Sequence, residues 1–141
     1  MNETTTAPKK HFTFSIIEAA GAISEQLETA LGDIGLSLAK HSALTQLAEA
    51  GEPLTLSDLA LRLSCVRSNI TQLVDRLEAD GLVKRLDDPV DRRSVRAELT
   101  KLGLEKQKMG QKEIARTQHA LAKRISAADL IGLESALEAL E

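Results

Sequence analysis

The chain predicts a mainly helical fold that carries one small β-hairpin. Three observations predict it. Apolar residues recur at steps of three and four along both ends of the chain. Two short β-rich runs, 82–86 and 94–99, flank a turn that contains Asp87, Asp88 and Pro89. Ser, Thr and Asp stand before several of the helical stretches, and Gly stands after them.

Residues 1–10 are Thr-rich with Pro8 and two lysines, a composition that predicts no packed element. Phe12, Ile16, Ala20, Ile23, Leu27 and Leu31 form one face of a long first helix, which Gly32 and Gly35 end. Ser37 is placed to cap a second helix containing Leu44 and Leu47, stopped by Gly51-Glu52-Pro53. Leu54-Thr55 allows only a minimal strand. Ser57 and Asp58 are expected to open a short third helix through Leu63.

A fourth helix is expected from Ser64 or Val66, with Ile70, Leu73, Val74 and Leu77 facing the core and Gly81 closing it. After the hairpin, Thr100 caps a long polar helix, roughly Lys101 to Lys123. Ser126 with Asp129 resembles a capping box for a last helix. Its stripe, Leu130, Leu133, Leu137 and Leu140, suits a seam with another helix better than deep burial. The order is α-α-β-α-α-β-β-α-α, a winged helix-turn-helix with helical extensions at both ends. Residues 36–100 form the winged module in this reading. Residues 1–35 and 101–141 form a helical dimerisation region.

Composition narrows the function. A length of 141 residues suits one domain. No apolar run is long enough to cross a bilayer, and the first residues lack a signal-peptide core, so a cytoplasmic protein is expected. The single Cys65 excludes an internal disulfide and a Cys-based zinc finger. His11, His41 and His119 have no metal-ligand spacing, and no phosphate loop or catalytic constellation is present. Neither an enzyme nor a bound cofactor is expected. The net charge is −3, but it is unevenly spread. Residues 1–50 hold three basic and six acidic side chains, whereas residues 62–96 hold eight basic and six acidic. A locally basic patch on an acidic body is an electrostatic footprint for nucleic acid; a solvated mixed-charge face is the bland alternative.

The fourth helix carries polar residues where a buried helix would carry leucine. Arg67, Ser68, Asn69, Thr71, Gln72 and Arg76 lie on or near that face. Asn and Gln can read adenine in the major groove, and Arg can read guanine. Thr71 and Ser68 suit phosphates or a thymine methyl. Arg76 could instead pair with Asp80 at i+4. In the hairpin turn, Arg92 is expected on DNA, and Arg93 at least partly on Asp75 or Asp91, bracing the wing.

The segments SNITQLVDRLEADGLVKR (68–85), DDPVDRRSVRAELTKLG (87–103) and GEPLTLSDLALRLS (51–64) together resemble the MarR family of bacterial transcriptional regulators. The resemblance extends from about Phe12 onward. It implies a homodimer built from the terminal helices, and two winged lobes on a pseudo-palindromic double-stranded operator. It also implies release by a small anionic or phenolic ligand, or by an oxidised cysteine. Gln72 stands where the family commonly has arginine, and His41 where an aromatic is common. With only Phe12 and Phe14 as aromatics, a small acidic effector near His41 and Arg62 is preferred to a phenolic one, although a satisfied half-buried histidine is the favoured reading of His41 itself. Cys65, at the start of the fourth helix, is the competing redox trigger, although a small residue packed in the turn is the favoured reading. The alternative from another class is a winged-helix protein–protein adaptor without specific DNA binding.

Overall fold

The computed structural model describes residues 11–63 and 69–141. The expected element order is observed: α1 (Phe12–Gly32), α2 (Leu38–Ala50), β1 (Leu54–Thr55), α3 (Leu56–Arg62), α4 (Ile70–Ala79), β2 (Val83–Asp87), β3 (Val95–Leu99), α5 (Lys101–Ala122) and α6 (Ala127–Glu138).

Local side-chain chemistry sets most boundaries. Ser37, Thr100 and Ser126 accept hydrogen bonds from the amides of Lys40, Gly103 and Asp129, each satisfying a donor that the helix start leaves unpaired. Gly51 ends α2 at φ 67°, a left-handed conformation that costs glycine little. One boundary differs from expectation. Thr55, rather than Ser57, caps α3 by accepting from the Asp58 amide, so the last residue of β1 also starts the helix. α4 is described from Ile70, capped by Asn69; the expected starts at Ser64 and Val66 lie outside the described residues.

The three strands form an antiparallel sheet in the order β1-β3-β2. Leu54 faces Ala97, and the hairpin runs from Val83 opposite Leu99 to Asp87 opposite Val95. Beneath it, Leu44 and Leu47 of α2, Leu59 of α3, and Leu73, Val74 and Leu77 of α4 close one core with Val83 and Ala97. Leu31 extends this core to the end of α1. The three- and four-residue spacing within α4 buries one stripe and leaves its opposite ridge in water.

Two close approaches join α5 to the rest. Gly103 packs against the Leu82 carbonyl, which accepts from the Thr100 amide at 3.1 Å, while Thr100 Oγ1 donates to the Gly81 carbonyl at 2.7 Å. Gly110 packs against the ring of His41. Between these two joints, Lys106 Nζ donates to the Ile34 carbonyl at 2.6 Å and pins the α1–α2 turn. By contrast, α1 and α6 leave Phe12, Phe14, Ile17, Ile131, Leu133 and Leu137 exposed, as is Leu140 just beyond α6. No described helix is long and apolar enough to cross a membrane.

Candidate nucleic-acid interface

The exposed ridge of α4 is flanked by two clefts. On the α2 side, Asn69, Gln72 and Arg76 face Ser37, Ala39 and Lys40 across a cleft of about 250 Å³. On the hairpin side, Thr71 faces Ser57, Arg85, Asp91, Arg93 and Ser94 across one of about 430 Å³. A helix standing between two grooves has the shape of an element that enters a groove of DNA with a backbone strand on either side.

Individual residues differ in how free they are. Gln72 and Arg76 are exposed, and among the described residues neither side chain has a hydrogen-bond or ion-pair partner. The alternative for Arg76, a pair with Asp80, is not formed. Asp80 is held instead by Lys40 of α2, at 2.8 Å. Asn69 is already engaged as a cap, because its Oδ1 accepts from the amides of Thr71 and Gln72, at 3.1 and 3.3 Å. Reading adenine bidentately needs that same oxygen, so capping and reading compete for it. Arg67, Ser68 and Cys65 lie outside the described residues.

The hairpin tip is built on carboxylates. Asp88 is buried; its Oδ1 accepts from the Val90 amide at 2.9 Å and the Asp91 amide at 3.5 Å, and its Oδ2 lies 3.5 Å from Arg96 Nε. The amide bonds, followed by the Arg96 charge, hold the carboxyl below its usual range against the opposing effect of burial. Asp91 Oδ1 accepts from the Arg93 amide at 2.9 Å. The tip thus presents Arg92 and Arg93 as exposed side chains.

The arginine that braces the wing is Arg85, and not Arg93 as expected. Its guanidinium pairs with Asp75 and, at 3.0 Å, with Glu78, and it donates to the Thr71 carbonyl at 3.4 Å. These contacts, the carboxylate bond from Asp75 first, raise its pKa further. No sequence signal singled out Arg85. Its partners lie seven to fourteen residues away, and strand register brings them together.

His41 is buried under α5. Its Nε2 lies 3.3 Å from Thr45 Oγ1, which also accepts from Gln107 Nε2 at 3.4 Å. Its Nδ1 is buried without a partner, and burial lowers its pKa. It is therefore not a histidine open to a cleft. Neither His41 nor Arg62 lines the cleft of about 570 Å³ between α1 and α5, which is walled by Glu25, Thr29, Asp33, Glu113 and Arg116. Among the described residues, no cluster of His, Cys, Asp or Glu could hold a metal.

The helices α3 and α4 and the β-hairpin, packed on one core in this order, are the described parts of a winged helix-turn-helix protein. Comparison with known proteins makes the class specific. The MarR family pattern matches residues 36–95. A MarR family transcriptional regulator from Silicibacter pomeroyi superposes with a TM-score of 0.77 at 30% identity, over 92% of this chain and 90% of that one. A MarR cysteine-to-serine variant from E. coli, complexed with operator DNA, has the same fold, with a TM-score of 0.78 at 23% identity over 91% of both chains. The HTH-type transcriptional regulator PrsX of Escherichia coli is 34% identical over 89 residues, which is 62% of this chain and 54% of that regulator. The match thus spans about half the length of this relative. The chain belongs to the MarR family, a family of transcriptional regulators and not of enzymes.

Proposed function

We propose that this chain is a sequence-specific double-stranded DNA-binding regulator. It acts in the cytoplasm as a homodimer on a pseudo-palindromic operator, and it represses. Residues 36–100 carry DNA binding, while residues 1–35 and 101–141 carry dimerisation. The observation that supports this reading is the charge arrangement around α4. Each of its C-terminal acids has a cation from a neighbouring element, while Gln72, Arg76, Arg92 and Arg93 remain uncommitted among the described residues. Gln72 and Arg76, with Arg67, Ser68, Asn69 and Thr71, are assigned to the major groove and its edge; Arg92 and Arg93 are assigned to the backbone or minor groove. A similar fold has been captured on operator DNA in the E. coli MarR variant. The exposed apolar faces of α1 and α6 are assigned to the second copy.

Release follows from geometry. A dimeric operator fixes the separation of its two recognition helices at about one helical turn, roughly 34–36 Å. A small acidic ligand, or oxidation at Cys65, would weaken binding by favouring another separation, and DNA would weaken the ligand by the same factor.

Mobility shift on the intergenic DNA beside its own gene, at several salt concentrations, tests the proposal. A dimer that neutralises roughly 6–10 phosphates should lose about 10³–10⁵-fold in affinity between about 50 and 200 mM salt. Absence of a shift at any salt, or a flat salt response, would overturn it and favour the adaptor.

A further inference from the structure

Building on the DNA-binding reading, we propose that Arg85 is a positioning residue: it clamps α4 to the wing so that both meet DNA in one fixed relation. Arg85 sits in mid-hairpin, paired with Ala97 of β3, which is fully buried, so its backbone is held by the sheet. From there one side chain grips three positions of α4: the Thr71 carbonyl and the Asp75 and Glu78 carboxylates. The Arg85 amide adds a fourth bond, to Glu78 Oε2 at 2.9 Å. Steps of four and three place 71, 75 and 78 on one stripe along the helix. The clamp therefore spans about two turns.

Such a clamp supplies something the core does not. Leu73, Val74 and Leu77 hold α4 down by apolar contact, which is not directional. A helix resting on leucines can slide or rotate slightly at little cost. A planar guanidinium shared between two carboxylates and a carbonyl has only one good arrangement. It fixes the offset between the ridge that carries Gln72 and Arg76 and the tip that carries Arg92 and Arg93. The two carboxylates are exposed and Arg85 is partly so, and pairs open to water on one side contribute little to folding. Removing the clamp should therefore disturb recognition far more than stability.

The probe is the tightest-binding duplex selected from a random-sequence pool, with an unselected duplex of equal length beside it. Arg85→Gln should weaken binding to the selected duplex on the order of tenfold, the scale of one coupled contact network, and binding to the unselected duplex much less. The dependence of binding on salt should keep its slope, because Arg85 neutralises no phosphate. Arg85→Lys, which keeps the charge and loses the fork, should recover only part of the affinity. Adding Asp75→Asn to Arg85→Gln should recover none. Unchanged affinity in Arg85→Gln, or equal losses on both duplexes, would overturn the clamp. Full recovery by Lys or by Asp75→Asn would reduce Arg85 to a cancelling charge and overturn it too. If Arg85→Gln does not fold, Glu78→Gln is read against the same outcomes. A parent protein that binds no duplex would instead sink the DNA-binding reading itself.

Discussion

Replacing Gly103 with alanine should loosen the joint between the winged lobe and α5. A Cβ on Gly103 would fall inside the van der Waals surface of the Leu82 carbonyl oxygen, 3.0 Å from the carbonyl carbon and 2.8 Å from Leu99 Cδ1. The obstacle is backbone, which cannot turn aside as a side-chain end can. Either α5 lifts away or residues 81–82 move. The Leu82 oxygen also accepts from the Thr100 amide, and Thr100 Oγ1 donates to the neighbouring Gly81 carbonyl, so a shift strains the cap of α5 as well. Overpacking costs about 1–3 kcal/mol. A weakened hydrogen bond adds about 1 kcal/mol. Against these, alanine in a helix is favoured over glycine by about 1 kcal/mol. The net loss is about 1–3 kcal/mol, or roughly 3–10 °C in the thermal midpoint of a chain this size.

Gly132 provides the internal comparison. It lies in α6, away from the leucine stripe, and a Cβ there meets nothing within 4 Å. Gly132→Ala should therefore stabilise by up to about 1 kcal/mol. Far-UV circular dichroism reads both, since the chain has no Trp or Tyr for fluorescence. Chain concentration must be equal, because a dimer's midpoint depends on it. A Gly103→Ala protein as stable as its parent would refute the reasoning, whatever Gly132→Ala does.

Three further outcomes are expected. Gln72→Ala should weaken specific binding by about 1–3 kcal/mol and spare non-specific binding, whereas Arg92→Ala should weaken both and lower the salt slope by about one; titrations on selected and unselected duplexes separate them, and equal losses for Gln72→Ala would count against base reading. Leu133→Asp should break the dimer, since an unpaired carboxylate in the seam costs several kcal/mol in order of magnitude; a stable dimer in sedimentation would misplace the seam. The contribution of His41 to stability should depend on pH with a definite sign. Burial lowers its pKa from 6.5, so the unfolded chain binds the proton first; the contribution is complete above 6.5 and is lost as pH falls from there through the folded value. His41→Leu should flatten that slope in urea titrations between neutral and mildly acid pH, and an unchanged slope would assign it elsewhere.

The element order was legible because it is written locally. Ser37, Thr100 and Ser126 each cap a helix through an amide three residues ahead, so the signal and its effect share one short window. The displaced start of α3 is of the same kind, since Thr55 and Ser57 are equally competent caps and stand two residues apart. The side-chain pairings were not legible. Local spacing favours Arg76–Asp80, yet the fold gives Asp80 to Lys40, forty residues away, and gives Asp75 to Arg85 across the hairpin. Charges find partners by tertiary distance, and only the strand register decides which arginine stands over α4. The same holds for His41. Sequence places it on α2, but its burial comes from α5, whose Gly110 lies close enough that a Cβ would stand 3.0 Å from Cε1 of the ring. A glycine inside a long polar helix was the only local trace of that approach. Helix formation disfavours glycine there, so Gly103 and Gly110 mark where α5 must lie close to the winged lobe. They are also where a movement of α5 would be passed to it.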